Sequence, residues 1–376
     1  MLGKLAVSAL VLVATATTVS AADWKVVPVP TVAGTNITLN SVDIRTATDG
    51  WAAGTAFVSA SATPFLPIYH WNGVSWTLTA TPAITTTGAL TSVSTSSPTD
   101  AWAVGFTRVS YPVTHAVALH WNGSAWAEPP ALGALSSVSR LNGVADLSAT
   151  NAWAVGNQGR FGPAAVEHWD GTQWTSITIP HPTPAGSGQG ESLAAISARS
   201  ATDIWAVGSY TPATAGPKQT FALHYDSTTW TLVPMPPSGD PQTTFVLNSV
   251  AAVGANDAWA VGQRVAAGGT PIATLIEHWN GKEWAVVPSP AIGVFPVLTG
   301  VSARAANDVW ASGYSPAAIG GQDQNAVLHW DGASWMVSAT PAVTDFSELW
   351  SVSAHPGTGV WAVGISRDGP LSLAHP

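Results

Sequence analysis

One hexapeptide, Asp257-Ala258-Trp259-Ala260-Val261-Gly262, constrains the fold more than any other feature of the chain, because near copies of it recur from Trp51 to Trp361. The tryptophans Trp51, Trp102, Trp153, Trp205, Trp259, Trp310 and Trp361 stand 51, 51, 52, 54, 51 and 51 residues apart. A period of this size marks a repeat architecture, in which each unit buries its apolar face against the next.

Each repeat reads as four short strands. An apolar pair opens it, as in Leu247 and Val250, with further copies starting at Leu39, Leu90, Leu141, Leu193, Leu298 and Leu349 (strand a). A short turn carrying Asp49, Asp100, Asn151, Asp203, Asp257 or Asp308 follows, and leads into the Trp-Ala-Val-Gly strand (strand b). Side chains of Asp and Asn commonly close such turns on their own backbone. A third run ends in His-Trp, as in His278-Trp279, and Asn280-Gly281 then leads to a fourth that starts at Trp284 (strands c and d). Asn-Gly or Asp-Gly recurs at Asn72, Asn122, Asp170 and Asp331, and predicts a tight hairpin with positive φ angles. Blade four carries Asp226-Ser227 instead, which predicts a looser turn there.

Four antiparallel strands in about 50 residues match one blade of a β-propeller, whereas a leucine-rich repeat takes only ~20 to 29. Six repeats are complete. The seventh stops after its third run, Leu371 to His375, and the missing strand is at the other end of the chain, where Trp24-Lys25-Val26-Val27-Pro28 matches Trp284-Ala285-Val286-Val287-Pro288. The expected fold is therefore all-β, a seven-bladed propeller of four-stranded antiparallel blades whose last blade is completed by the N-terminal strand. Closure of that kind leaves no open sheet edge.

These motifs resemble the Trp-rich secreted bacterial propeller repeats with a WAVG and HWNG..W pattern, which share a general plan with kelch and Asp-box propellers. The resemblance spans residues 23–376 and implies the fold without implying an activity. The segment Asp331 to Trp335 is similar to an Asp-box, but its spacing of 4 departs from that motif's own, so no sialidase chemistry is carried over.

The chain ends point to a location. Met1 to Ala22 has one cation, Lys4, an apolar run from Leu5 to Ala16, and a small-residue site at Val19-Ser20-Ala21, the pattern of a secretory signal peptide. The expected organisation is a signal peptide over 1–22 and a single propeller domain over 23–376. No later run approaches the ~20 apolar residues of a membrane helix, so no membrane span is expected in the mature protein, which is read as secreted or at the cell surface. With no cysteine there is neither a lipid-anchor thiol nor a disulfide. Charged residues make up 9% of the chain, the net charge is −9, and no basic block exists to neutralise a phosphate backbone, which excludes nucleic acid as a partner.

Most conspicuous residues belong to the repeat. Nineteen of the 20 tryptophans occupy three repeated blade positions and read as packing between adjacent sheets. Seven of the ten histidines, His70 to His375, share one hairpin position, spread around a ring where no metal reaches three of them. No metal site and no cofactor is expected.

The twentieth tryptophan, Trp350, breaks the pattern, since Asn40, Thr91, Asn142, Ala194, Asn248 and Thr299 fill its position elsewhere. Antiparallel connectivity puts the b–c and d–a loops on one face of the disc, and variable loops on a rigid scaffold are where binding residues concentrate. The candidate ligand residues there are Trp350, Glu348, Asp345, Arg367, Arg108, Arg160, Arg264, Tyr210 and Tyr314. The four arginines follow the strand-b glycine closely and predict a broken cationic ring for carboxylate or sulfate groups. The reading is a secreted binding or scaffold propeller whose partner is an extracellular polysaccharide or surface protein. A polysaccharide hydrolase or lyase at the channel mouth is the catalytic alternative, and a structural surface protein without a small ligand is the third. No catalytic residue is identified.

Overall fold

The computed structural model describes residues 23–376 apart from 59–62, 111–112, 130–134, 136, 160–161, 183–188, 213–216 and 241. The signal-peptide segment and Arg160 lie outside the described residues. Seven four-stranded antiparallel blades form the molecule; those of blades one and two are joined by one extra pairing, Thr55 with Ala89. Blade five runs through Thr243–Gly254, Asp257–Ala266, Pro271–Trp279 and Trp284–Val286, in the order a, b, c, d.

Blade seven takes Ser347–Ala354, Val360–Ser366 and Gly369–His375 from the C-terminal end and its outer strand, Lys25–Val26, from the N-terminal end. Lys25 pairs with Ala374 and Val26 with Leu373, and the Val27 N–H donates to the Ser372 carbonyl at 2.8 Å. Trp24 is only 2% exposed; its indole N–H donates to Ser338 Oγ at 3.0 Å and its ring meets Trp310 edge-on at 5.8 Å.

The turn face carries an aromatic belt. Each strand-b tryptophan packs on the hairpin aromatics of the following blade, as Trp51 does on Trp121 and Trp126, both at 4.9 Å. The ring closes when Trp361 of blade seven reaches Trp71 and Trp76 of blade one, at 4.6 and 5.7 Å. Within a blade, the histidine packs on that same tryptophan, from Trp51–His70 at 4.4 Å to Trp310–His329 at 4.1 Å.

Three local expectations change. The turn carboxylates do not serve mainly their own backbone: Asp49, Asp100, Asp203, Asp257 and Asp308 each contact the Nε2 of the blade's histidine at 2.6–3.0 Å, and Asn151 does the same at 3.0 Å. The Asn-Gly turn is also longer than a two-residue hairpin. Trp71 pairs with Trp76 across four intervening residues, Asn72 Oδ1 accepts from the Val74 and Ser75 N–H groups, and only Gly73 takes a positive φ, 89°. Blade four is not looser. Ser227 holds that same position at φ 87°, the one non-glycine residue with positive φ among the described residues.

Candidate functional site

A bulge in strand a builds the channel. In every blade the pairing with strand b slips by one residue after the leucine, between Leu39 and Ser41 in blade one and between Leu349 and Ser351 in blade seven. The extra residues are Asn40, Thr91, Asn142, Ala194, Asn248, Thr299 and Trp350, and all seven line one central cavity of about 940 Å³. A bulge re-aims a side chain in this way. It also explains the glycine that ends each Trp-Ala-Val-Gly motif: a Cβ on Gly54 would sit 1.9 Å from the Thr38 carbonyl oxygen, and the other six glycines meet the equivalent oxygen at 1.9–2.0 Å.

Five bulge residues tie their blade to the next. Asn40 Nδ2 donates to the Leu90 carbonyl, Thr91 Oγ1 to that of Leu141, Asn142 Nδ2 to that of Leu193, Asn248 Nδ2 to that of Leu298 and Thr299 Oγ1 to that of Leu349, all at 2.7–2.8 Å. Ala194 has no donor for this tie, and the Trp350 indole N–H does not make it. The strap is therefore interrupted at the joint of blades four and five and at the closure joint of blades seven and one. A second ring lies one residue further on, where Ser41 Oγ accepts from the Val93 N–H at 3.0 Å and Ser351 Oγ from that of Val42 at 3.3 Å.

The mouth of the cavity, on the b–c and d–a loop face, has two unlike sides. Tyr314 of blade six, Trp350 of blade seven and Phe57 of blade one make an aromatic arc; the Tyr314 and Trp350 rings lie 5.6 Å apart and Phe57 is 63% exposed. Arg108 of blade two, Arg140 of blade three and Lys218 of blade four make a cationic arc opposite. The Arg140 guanidinium sits 4.5 Å over the Phe106 ring. Burial and the nearby Arg108 cation press the Arg140 pKa down, although the residue as a whole is exposed.

The remaining candidates do not converge on the cavity. Arg367 forms a two-pronged ion pair with Asp345, its Nη2 donating to Oδ2 at 2.8 Å, and both side chains are exposed. It borders a separate hollow of about 300 Å³ beside Thr31 and Asp368. Arg264 lies 5.5 Å from the Phe245 ring centroid, and Tyr210 donates its hydroxyl to Gln219 Oε1 at 2.8 Å; neither borders the channel. Of the four arginines in the expected ring, Arg108 alone lines the cavity among the described residues. Strand alternation accounts for part of this, since Arg264 stands two residues past its glycine and Arg108 three, on opposite faces of the sheet. Arg367 has left strand b, which ends at Ser366.

Arg140 is not among the sequence candidates. The signal for it is its register: Thr38, Ala89, Ser192, Val246, Val297 and Glu348 hold the same position before the leucine in the other blades, so only blades three and seven place a charge there. Glu348 is half-buried beside Trp350. Burial and the neighbouring Asp323 raise its carboxyl to about 7, and the nearby Trp350 indole opposes that rise without completing a hydrogen bond. Burial, with Glu348 and Asp323, pushes the Tyr314 hydroxyl up to about 12. Among the described residues, no group of three or more His, Cys, Asp or Glu converges as metal ligands do.

No protein-family model matches the chain, and no curated protein does. Solved structures share its fold. YCF48 bound to a D1 peptide is similar over 94% of this chain and 96% of its own, with 14% identity and a TM-score of 0.58. A polysaccharide lyase of family PL25, an ulvan lyase, is similar over 90% of this chain and 93% of its own, at 9% identity and a TM-score of 0.56. The GH74 xyloglucanase of Xanthomonas campestris matches 93% of this chain with 55% of its own, at 15% identity and a TM-score of 0.51. Identities this low establish the propeller alone.

Proposed function

We propose that the chain is a secreted binding module that receives an extracellular glycan at the mouth of its central channel. One observation carries this reading: an open cavity of about 940 Å³ is edged on one side by Trp350, Tyr314 and Phe57. Asn and Thr side chains at the bulge position of other blades line the same cavity. Flat rings over a hydrogen-bonding floor suit a sugar, which has apolar C–H faces and hydroxyl edges, and a ligand site typically sets a few polar groups in an apolar wall. The names of two structural neighbours, a xyloglucanase and an ulvan lyase, are consistent with polysaccharide ligands on this fold. Secretion rests on the Met1 to Ala22 pattern, and no helix among the described residues is long and apolar enough to cross a membrane.

Binding is preferred to catalysis because of where the acids stand. No Asp, Glu or His lines the cavity among the described residues. The half-buried carboxyl next to it, Glu348, is within reach of Asp323, whereas a glycosidase separates its two carboxyls by about 5 to 9.5 Å to admit the sugar or a water. The test is a polysaccharide panel in affinity gels, with release of reducing ends assayed on the same samples. At least one polysaccharide is expected to retard the protein, and Trp350→Ala to abolish the retardation. Release of reducing ends would replace this reading with the catalytic one, and an unretarded protein across the whole panel would remove it.

A further inference from the structure

We infer that the glycan taken at the channel mouth is anionic, with a carboxylate or sulfate on the sugar facing blades two to four and the sugar faces lying on the aromatic arc. The inference rests on the binding reading above and adds the chemical class of the ligand. The chain has only 12 lysines and arginines against 21 acids, yet Arg108, Arg140 and Lys218 all reach one cavity. None of the three makes an ion pair among the described residues, while Arg199, Arg304 and Arg367 are each held by an aspartate. Arg108 and Arg140 line the same cavity, and among the described residues neither guanidinium is neutralised by an ion pair, an arrangement that a bound oxyanion relieves.

Position and orientation strengthen the case. Phe106 holds the Arg140 guanidinium against its face, so the cation is oriented before a ligand arrives. Across the mouth, Glu348 lies close to Trp350 and Asp323, and both acids lie close to Tyr314, which disfavours an anion on that side. The ligand is thereby given a direction, charge toward Arg140 and apolar face toward Trp350. An acidic peptide would satisfy the cations but makes no use of the aromatic arc.

Four probes separate the outcomes: dextran, dextran sulfate of the same length, polygalacturonate and poly-glutamate, titrated by calorimetry at low and high salt. The expected result is that dextran sulfate or polygalacturonate binds at least about tenfold more tightly than dextran. Comparing the two tells sulfate from carboxylate. High salt should erode that advantage, because the screening length falls from ~10 Å at 0.1 M to ~3 Å at 1 M. Arg140→Gln and Lys218→Gln should each reduce it, and Lys218, exposed in its loop, should leave the melting temperature in place. Equal affinity for dextran and its sulfate, still lost in Trp350→Ala, would overturn the charge inference and leave the glycan reading standing. No affinity for any of the three polysaccharides would overturn the charge inference, and the glycan reading with it where the wider panel also leaves the protein unretarded. Poly-glutamate binding as tightly as the polysaccharides would overturn the sugar class.

Discussion

The turn face and the loop face of this propeller are made by the same seven repeats, and they differ in what each blade contributes. On the turn face, Trp51, His70 and Asp49 of blade one have spatial counterparts through to Trp310, His329 and Asp308 of blade six. Blade seven has Gly359 where the carboxylate belongs, and there His375 contacts the Pro376 carbonyl instead. On the loop face, the bulge position holds Asn, Thr, Ala or Trp, and the position two residues before it holds Arg140 in one blade and Glu348 in another. The difference teaches which contacts the fold needs. Adjacent sheets must interlock around the whole ring, and an aromatic belt does so at each joint, with Tyr225 and His375 standing in for a tryptophan in blades four and seven, so the channel mouth is free to vary.

Breaking the belt at its closure should have the largest effect. Deleting Asp23 to Pro30 removes the outer strand of blade seven together with Trp24, and also the Pro30 carbonyl that accepts from the Tyr69 hydroxyl at 2.8 Å. Loss of one buried tryptophan alone costs about 3 to 5 kcal/mol. Thermal unfolding of the truncated chain should show a midpoint lowered by many degrees, and an unchanged midpoint would mean that the strand does not close the ring.

Glu277 breaks the uniformity of the blades in the opposite way. It is 0% exposed and its carboxyl oxygens have no hydrogen-bond partner among the described residues, while Glu167, at the same position in blade three, accepts from Ser176 Oγ at 2.8 Å. Burial raises the Glu277 carboxyl to about 8 from an ordinary 4.5. The folded chain thus keeps a proton that the unfolded chain releases, so stability is highest below the unfolded pKa and declines as pH rises toward the folded one. At ~1.4 kcal/mol per pKa unit, the full decline is roughly 5 kcal/mol. Blades two, four and six carry Leu119, Leu223 and Leu328 here. Urea unfolding at pH 5 and pH 8.5 should show Glu277→Leu flattening the loss, with a residual slope from Asp146 and Glu348, both raised to about 7. An unaltered slope would mean that Glu277 finds a partner in solution.

Smaller effects sharpen the contrast between the faces. Asn248→Ala removes the strap from blade five to the Leu298 carbonyl and should cost about 1 kcal/mol in chemical unfolding. The same measurement on Ala194→Asn should show a gain of up to that size, if the joint of blades four and five accepts the tie its neighbours make. On the turn face, Ser227 holds φ 87° where five other blades use glycine, so Ser227→Gly should stabilise by about 1 kcal/mol. A loss instead would show that the serine side chain contributes more than its backbone strain.

What the sequence makes legible follows the same division. Blade number, strand order, the closing strand and the packing role of nineteen tryptophans all repeat, and repetition turns each into many concurring observations. The mouth does not repeat. Whether an arginine after strand b reaches the channel depends on strand alternation and on where the strand ends, which is why Arg108 lines the cavity while Arg264 lies by Phe245 and Arg367 pairs with Asp345. The bulge is legible only in hindsight, from the glycine that faces it in each blade and the small or polar residue that it carries.

Trp350 is where the division between the faces is most exposed to test. Among the described residues it makes no strap, its indole N–H has no partner, and its ring contact is with Tyr314. Removing it therefore breaks no hydrogen bond that holds the ring of blades together. The decisive measurement is Trp350→Ala, with affinity for the glycan identified by the panel and thermal unfolding recorded on one preparation. A ligand platform predicts an affinity loss of about tenfold or more with the melting temperature nearly unchanged. A lowered melting temperature with affinity intact would show that Trp350 plugs the closure joint, and would contradict the placement of function at this mouth.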